Sequence, residues 1–300
     1  MSSQRTAEDD RRRTDGNDAR RRVLAGAPVT ERRLDLAGVS TAVLEAGDGP
    51  PVVLLHGQGG WSGMWLPVAG DLAATHRVIA ADLPGLGASE VPGGPPDAAR
   101  VLDWLGELIR QTCPAPPALV GASLGASIAA RFAIAHPDRL SRLVLVDAGS
   151  LARFRPAPGV LLALVRFVAR PSERSQRGFL RQVTVDPAGA RAAIGERWEA
   201  SQAYGLELAR TPSVREANRR LLRELGTKVI PPAELARIAV PTSLIWGRHD
   251  RVMRLKIAEE ASARYGWPLR VIEDAGHFVV EQPEAFRRAL RAALGGPAER

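Results

Sequence analysis

The fourteen residues from Pro117 to Ala130 constrain this chain more than any others. Ala118-Leu119-Val120 is an apolar run of the kind that makes a buried strand. Gly121-Ala122-Ser123-Leu124-Gly125 follows, a G-x-S-x-G pentapeptide. Ala126 to His136, rich in Ala and Ile, then reads as a helix. A serine on so sharp a strand-to-helix turn has a strained backbone, and glycines two residues to either side remove the side chains that would clash. The turn would expose the Ser123 hydroxyl near a helix N-terminus, where unpaired N–H groups favour developing negative charge. Ser123 is therefore a candidate nucleophile.

The rest of the chain supplies the sheet such a turn needs. Leu34 to Leu36 and Thr41 to Leu44 read as a hairpin. Apolar strands are expected at Pro51–Leu55, Arg77–Ala81, Leu143–Val146, Thr242–Trp246 and Leu269–Ile272. Helices are expected at Trp61–Ala74, Val101–Gln111 and Pro283–Leu294. This alternation implies an α/β fold with a mostly parallel sheet covered on both faces. From Ser150 to Leu235 the strand texture vanishes. Helical spacing takes over, at Leu161, Leu164, Val165 and Val168, then near Arg174–Thr184, Pro187–Ala203 and Val214–Gly226. The expected division is a polar tail at 1–26, a core formed by 27–149 and 236–300, and a helical insertion at 150–235.

In open parallel sheets, reactive groups gather beyond the carboxyl ends of the strands. His56, Asp82, Ser123, Asp147, Asp250 and His277 lie there. A serine needs a base. His277 follows the final strand beside Gly276, which lets the chain turn and present the imidazole, so His277 is the expected base. The imidazole in turn needs an anionic partner to set its tautomer. Asp250, 27 residues before His277, is the preferred acid and Asp147 its rival. The turn after His56 leaves backbone N–H groups free. Gln58 and Leu124 are the expected oxyanion donors, and His56 is expected to brace that turn. Trp61 and Phe278 are candidate substrate-binding walls.

Together these stretches resemble the α/β-hydrolase family. His56-Gly57-Gln58-Gly59 resembles its oxyanion turn. Asp82-Leu83-Pro84-Gly85-Leu86-Gly87-Ala88-Ser89 resembles its D-x-P-G-x-G-x-S loop. Gly121 to Gly125 matches its nucleophile elbow, Trp246-Gly247-Arg248-His249-Asp250 its acid loop, and Gly276-His277 its base position. The order Ser, Asp, His is also the family's. The resemblance implies that 150–235 is a helical cap over the site. It implies a serine esterase acting through an acyl-enzyme, with C–C bond hydrolase or lactonase chemistry as the alternative. Meta-cleavage-product C–C hydrolases of this family typically carry Asn before the nucleophile and Trp after the histidine, where this chain has Ala122 and Phe278. Perhydrolase chemistry and a non-catalytic receptor rank lower.

Composition narrows the partners. The single Cys113 excludes an internal disulfide and a cysteine metal site. No metal or cofactor is expected. The net charge is +8, and 150–235 carries fifteen basic and eight acidic residues. The arginines are scattered among acids without interleaved aromatics, which argues against nucleic acid. The expected partner is a small hydrophobic ester, with an acidic carrier protein ranked behind it. The apolar stripe Val160–Val168 is expected either to face the site or, more simply, to pack on other helices. The opening residues lack an apolar signal core and no run is long enough to span a membrane. A cytoplasmic location is therefore expected.

Overall fold

The computed structural model describes residues 18–295. Strands β1 (Thr30–Leu36), β2 (Val39–Ala46), β3 (Pro51–Leu55), β4 (Arg77–Ala81), β5 (Ala118–Ala122), β6 (Arg142–Val146), β7 (Thr242–Gly247) and β8 (Leu269–Ile272) form one sheet among the described residues. Its order is β1-β2-β4-β3-β5-β6-β7-β8. β1 and β2 pair antiparallel, β2 is antiparallel to β4, and every later pairing is parallel. Every residue of β3 and β5 is buried, as expected when helices cover both faces.

Side chains alternate between the faces and feed two cores. Val53, Leu55, Leu119, Leu143 and Leu145 pack with Trp104 and Phe132 on one side. Val52, Leu54, Val120, Val144 and Val146 pack with Trp65, Phe286 and Leu290 on the other. Helices α3 (Ala98–Thr112), α4 (Leu124–Ala135) and α11 (Leu255–Tyr265) supply the first face. Helices α2 (Leu66–Ala73) and α12 (Pro283–Ala293) supply the second.

Between β6 and β7 run α5 (Pro158–Ala169), α6 (Glu173–Val183), α7 (Pro187–Ile194), α8 (Trp198–Arg210), α9 (Pro212–Leu221) and the short α10 (Pro232–Leu235). Their contacts place them over the carboxyl ends of the strands. The backbone of Val183 accepts from the N–H of Phe278 at 3.3 Å. Asn218 accepts from the N–H of Gly59 at 3.1 Å.

Some expectations change in detail. The helix expected over Pro187–Ala203 is divided, because Gly195 sits at φ 64°, in the left-handed region a helix cannot pass through. The helix expected from Trp61 opens as a 3₁₀ turn over Ser62–Trp65, and α2 restarts with Pro67 in its first turn. The apolar stripe of α5 neither faces the site nor packs away. Val160 is buried and Leu164 half-buried, but Leu161, Val165 and Val168 are exposed. The tail expected at 1–26 also does not reach residue 26. Residues 18–24 form helix α1, with Ala19, Arg20 and Val23 buried against the second face. Ala19 and Val23 lie one helical turn apart and share a stripe. The Arg20 charge finds partners described below. The part of the tail at 1–17 and the core residues 296–300 lie outside the described residues.

Candidate active site

The elbow is built as its glycines require. Ser123 sits at φ 51°, ψ −108°, an unfavourable conformation for a residue with a side chain. Its N–H donates to the Val146 carbonyl at 2.9 Å, which ties the turn to β6. A Cβ at Gly121 would lie 2.4 Å from the Gly125 carbonyl oxygen, and one at Gly125 would lie 2.4 Å from the Leu55 carbonyl oxygen. Only glycine lets β3, β5 and the start of α4 approach this closely.

The elbow, the β7 loop and the β8 loop bring three distant residues together. Ser123 Oγ lies 3.1 Å from His277 Nε2. His277 Nδ1 lies 2.8 Å from Asp250 Oδ2. The other carboxylate oxygen, Asp250 Oδ1, accepts from the N–H groups of Val252 at 2.7 Å and Met253 at 2.8 Å. The acid is thus held by its own loop, and its free oxygen is aimed at the imidazole.

Asp147, the rival acid, is buried nearby. Its Oδ1 accepts from the Gly247 N–H at 3.0 Å, and its Oδ2 has no partner among the described residues. Burial, and then the charge of Asp250, push its pKa well above the usual carboxylate range. Burial beside Asp250 therefore favours the protonated form of Asp147. Ligand atoms of Asp147, Asp250 and His277 lie within 4.8 Å of one another, so they are the group that could approach a cation. Both oxygens of Asp250 and Nδ1 of His277 are, however, already committed to each other and to backbone N–H groups.

Beyond β3, His56 is fully buried. Its Nε2 accepts from the Leu83 N–H at 2.9 Å, and Nδ1 lies 2.8 Å from the Gly57 carbonyl oxygen. Burial lowers its pKa, against the pull of Asp82, so it is neutral with the proton on Nδ1. This fixes the Gly57 peptide against the elbow, where a Cβ on Gly57 would come within 3.3 Å of Ser123 Cβ. The N–H groups of Gln58 and Leu124 donate to no other group among the described residues. Leu124 is the first residue of α4, where N–H groups have no intrahelical acceptor.

Two residues that the sequence analysis did not single out bind the site to its surroundings. Arg20 Nη1 lies 2.8 Å from Asp82 Oδ2, and Arg20 Nε donates to Glu31 at 2.9 Å. Asp82 also accepts from Ser62 N–H at 2.6 Å and Ala88 N–H at 2.8 Å. Burial alone would raise the Asp82 pKa; Arg20 and these donors outweigh it and hold the carboxylate below its ordinary range. The guanidinium sits 4.5 Å above the Trp61 ring, whose other contact is Tyr204 of α8, edge-on at 4.9 Å. Trp61 thus lies between α1 and α8. Glu281, the second residue, accepts from Gly276 N–H at 2.6 Å, Val185 N–H at 2.9 Å and Asp186 N–H at 3.1 Å. It staples the histidine loop to the α6–α7 connection. The only sequence signals are an acid directly after the apolar Phe278-Val279-Val280 run for Glu281 and the Ala19–Val23 spacing around Arg20. Phe278 stays half-buried beside His277.

Known proteins resemble the chain over most of its length. A family model described as the alpha/beta hydrolase family matches residues 52–289. A pimeloyl-[acyl-carrier protein] methyl ester esterase from Aeromonas hydrophila is 28% identical over 266 residues, covering 86% of this chain and all of its own. A 2-hydroxy-6-oxo-6-phenylhexa-2,4-dienoate hydrolase from Comamonas testosteroni is 29% identical over 283 residues, covering 87% of this chain and 93% of its own. Among solved structures, naproxen esterase from Bacillus subtilis superposes with a TM-score of 0.80 at 20% identity, covering 93% of this chain and 97% of its own, a likeness of fold. The match over residues 52–289, carried on this sheet and elbow, makes the chain a member of the α/β hydrolase family.

Proposed function

We propose that the chain is a serine hydrolase of carboxylic esters that works through an acyl-enzyme. The observation that carries this reading is the unbroken hydrogen-bonded line from Ser123 through His277 to Asp250. Ser123 Oγ attacks the ester carbonyl while its proton passes to His277 Nε2. Asp250 stabilises the imidazolium that forms. The carbonyl oxygen becomes an oxyanion held by the N–H groups of Gln58 and Leu124. The tetrahedral intermediate collapses as His277 protonates the departing alcohol oxygen. Water, deprotonated by the same imidazole, then attacks the acyl carbon and releases the acid and the serine. The sequence of steps draws on side chains, backbone donors and water alone.

Phe278, next to the base, would contact the substrate, and Trp61 would form part of the pocket wall. A small hydrophobic ester is the favoured substrate. The Comamonas relative supports a second reading, cleavage of a C–C bond by the same triad. A series of p-nitrophenyl esters of increasing acyl length, run beside a vinylogous 1,5-diketone, separates the two. Ester turnover that Ser123→Ala abolishes supports the first. Turnover of the diketone alone supports the second.

A further inference from the structure

We propose that the outer face of α5, with the arginines around it, docks on an anionic lipid surface. Leu161, Leu162, Val165 and Val168 are 47–55% exposed and follow one another along one side of the helix, with exposed Phe154 just before it. Contiguous aliphatic surface of this kind marks a contact with something apolar. Arg153 and Arg155 precede the helix, Arg166 lies within it beside Leu162 and Arg170 ends it, all exposed and without an ion pair among the described residues. Residues 151–183 hold seven arginines and one acid, Glu173. An apolar face bordered by unneutralised cations is the pattern of helices that lie in the headgroup region of charged bilayers.

Charge and shape select this occupant. A second copy would bring two arginine rims face to face. The chain's own residues 1–17 hold only Met1 and Ala7 as apolar side chains and could not cover the face. The side chains stand out from a single helix ridge, which a fluid phase can surround without a matching groove. The start of α5 lies close to the triad. The N–H of Ala157, which caps α5, donates to the Arg251 carbonyl at 2.8 Å, one residue from Asp250. α5 packs on α6 through stacked Phe167 and Phe179, and α6 ends at Val183 against the histidine loop. Docking would therefore bring a membrane to the rim of the site.

The test uses the full chain with vesicles of phosphatidylcholine alone or mixed with phosphatidylglycerol, read by co-sedimentation and independent of any ester activity. The protein should bind the mixed vesicles, bind neutral ones far less, and be released by salt. Leu161→Ser combined with Leu162→Ser and Val165→Ser should lower partitioning about ten-fold or more. It should leave the circular dichroism and the turnover of a soluble ester unchanged. Arg153→Gln with Arg155→Gln and Arg166→Gln should remove the preference for anionic lipid. No binding to the mixed vesicles overturns the proposal, as does equal binding by the serine variant. So does a dimer that the serine variant dissociates, or capture of an acidic carrier protein through this face without vesicle binding.

Discussion

Ser123 and Asp147 both take positive φ values, 51° and 43°, at the ends of adjacent strands. Strain of about 1–3 kcal/mol at such positions persists only where the surroundings enforce it. At Ser123 the enforcing parts are legible, because Gly121 and Gly125 are the residues a tight elbow demands. At Asp147 they are not. Nothing in Leu143–Val146 followed by Asp147 reveals that this carboxyl will be sealed beneath Asp250 rather than presented to His277. The sequence prefers Asp250 through its own loop and not through anything beside Asp147, and the two acids are expected to behave oppositely. Asp250→Asn should lower kcat on an ester by ~10⁴-fold, since the imidazole loses its orienting anion. Asp147→Asn should keep most of the activity and should stabilise the fold as pH rises. A buried acid with a raised pKa binds its proton more tightly folded than unfolded. Its contribution is complete below the ordinary aspartate range and is lost as pH climbs from there toward its native value. Melting curves from acid to neutral pH should show the Asn variant gaining on the wild type across that window. A constant offset would mean Asp147 is charged.

Helices and strands were readable where periodicity was strong, as in α3 with Val101, Leu105, Leu108 and Ile109 inside. What periodicity could not reveal is which elements clasp one another. α1 looked like tail because its neighbours are arginines. Its docking depends on one buried cation meeting Asp82 from a loop some sixty residues away. Arg20 is 3% exposed and Asp82 fully buried, so Arg20→Met leaves a sealed, unpaired carboxylate. The expected loss is about 3–5 kcal/mol, a fall in Tm on the order of 10 °C. Adding Asp82→Asn should recover part of it, and no recovery would show that packing of α1, not charge, is what matters. Glu281 tests the other clasp. Glu281→Gln keeps the size but puts an amide where N–H groups of the histidine loop and cap already point. Weakening charge-assisted bonds of this type should lower kcat by roughly ten- to a hundred-fold. KM should change less, because the loss is in the aim of His277. A KM effect alone would place Glu281 in substrate binding instead.

Across the whole molecule, the fold was legible because β3, β4, β5, β7 and β8 each lead into a loop whose residue pattern has one structural use. The mostly parallel sheet brings those ends to one edge whatever their separation in sequence. The cap was legible as helical but not in its orientation. Apolar spacing on α5 states that one side is different, and only packing against α6 decides whether that side turns inward or to solvent. It turns to solvent, in a stretch, 151–183, that holds seven arginines and one acid. Among the described residues no helix is long and apolar enough to cross a membrane. The proposed reactivity rests on the Ser123 hydroxyl lying 3.1 Å from the His277 imidazole, which lies 2.8 Å from Asp250. The most direct measurement is intact-mass and peptide mass spectrometry after brief treatment with a fluorophosphonate. A single adduct on Ser123 is expected, formed far more slowly in His277→Ala and absent in Ser123→Ala, with ester turnover lost in step. An adduct on another residue, or hydrolysis that continues at full rate once Ser123 is blocked, would contradict the account.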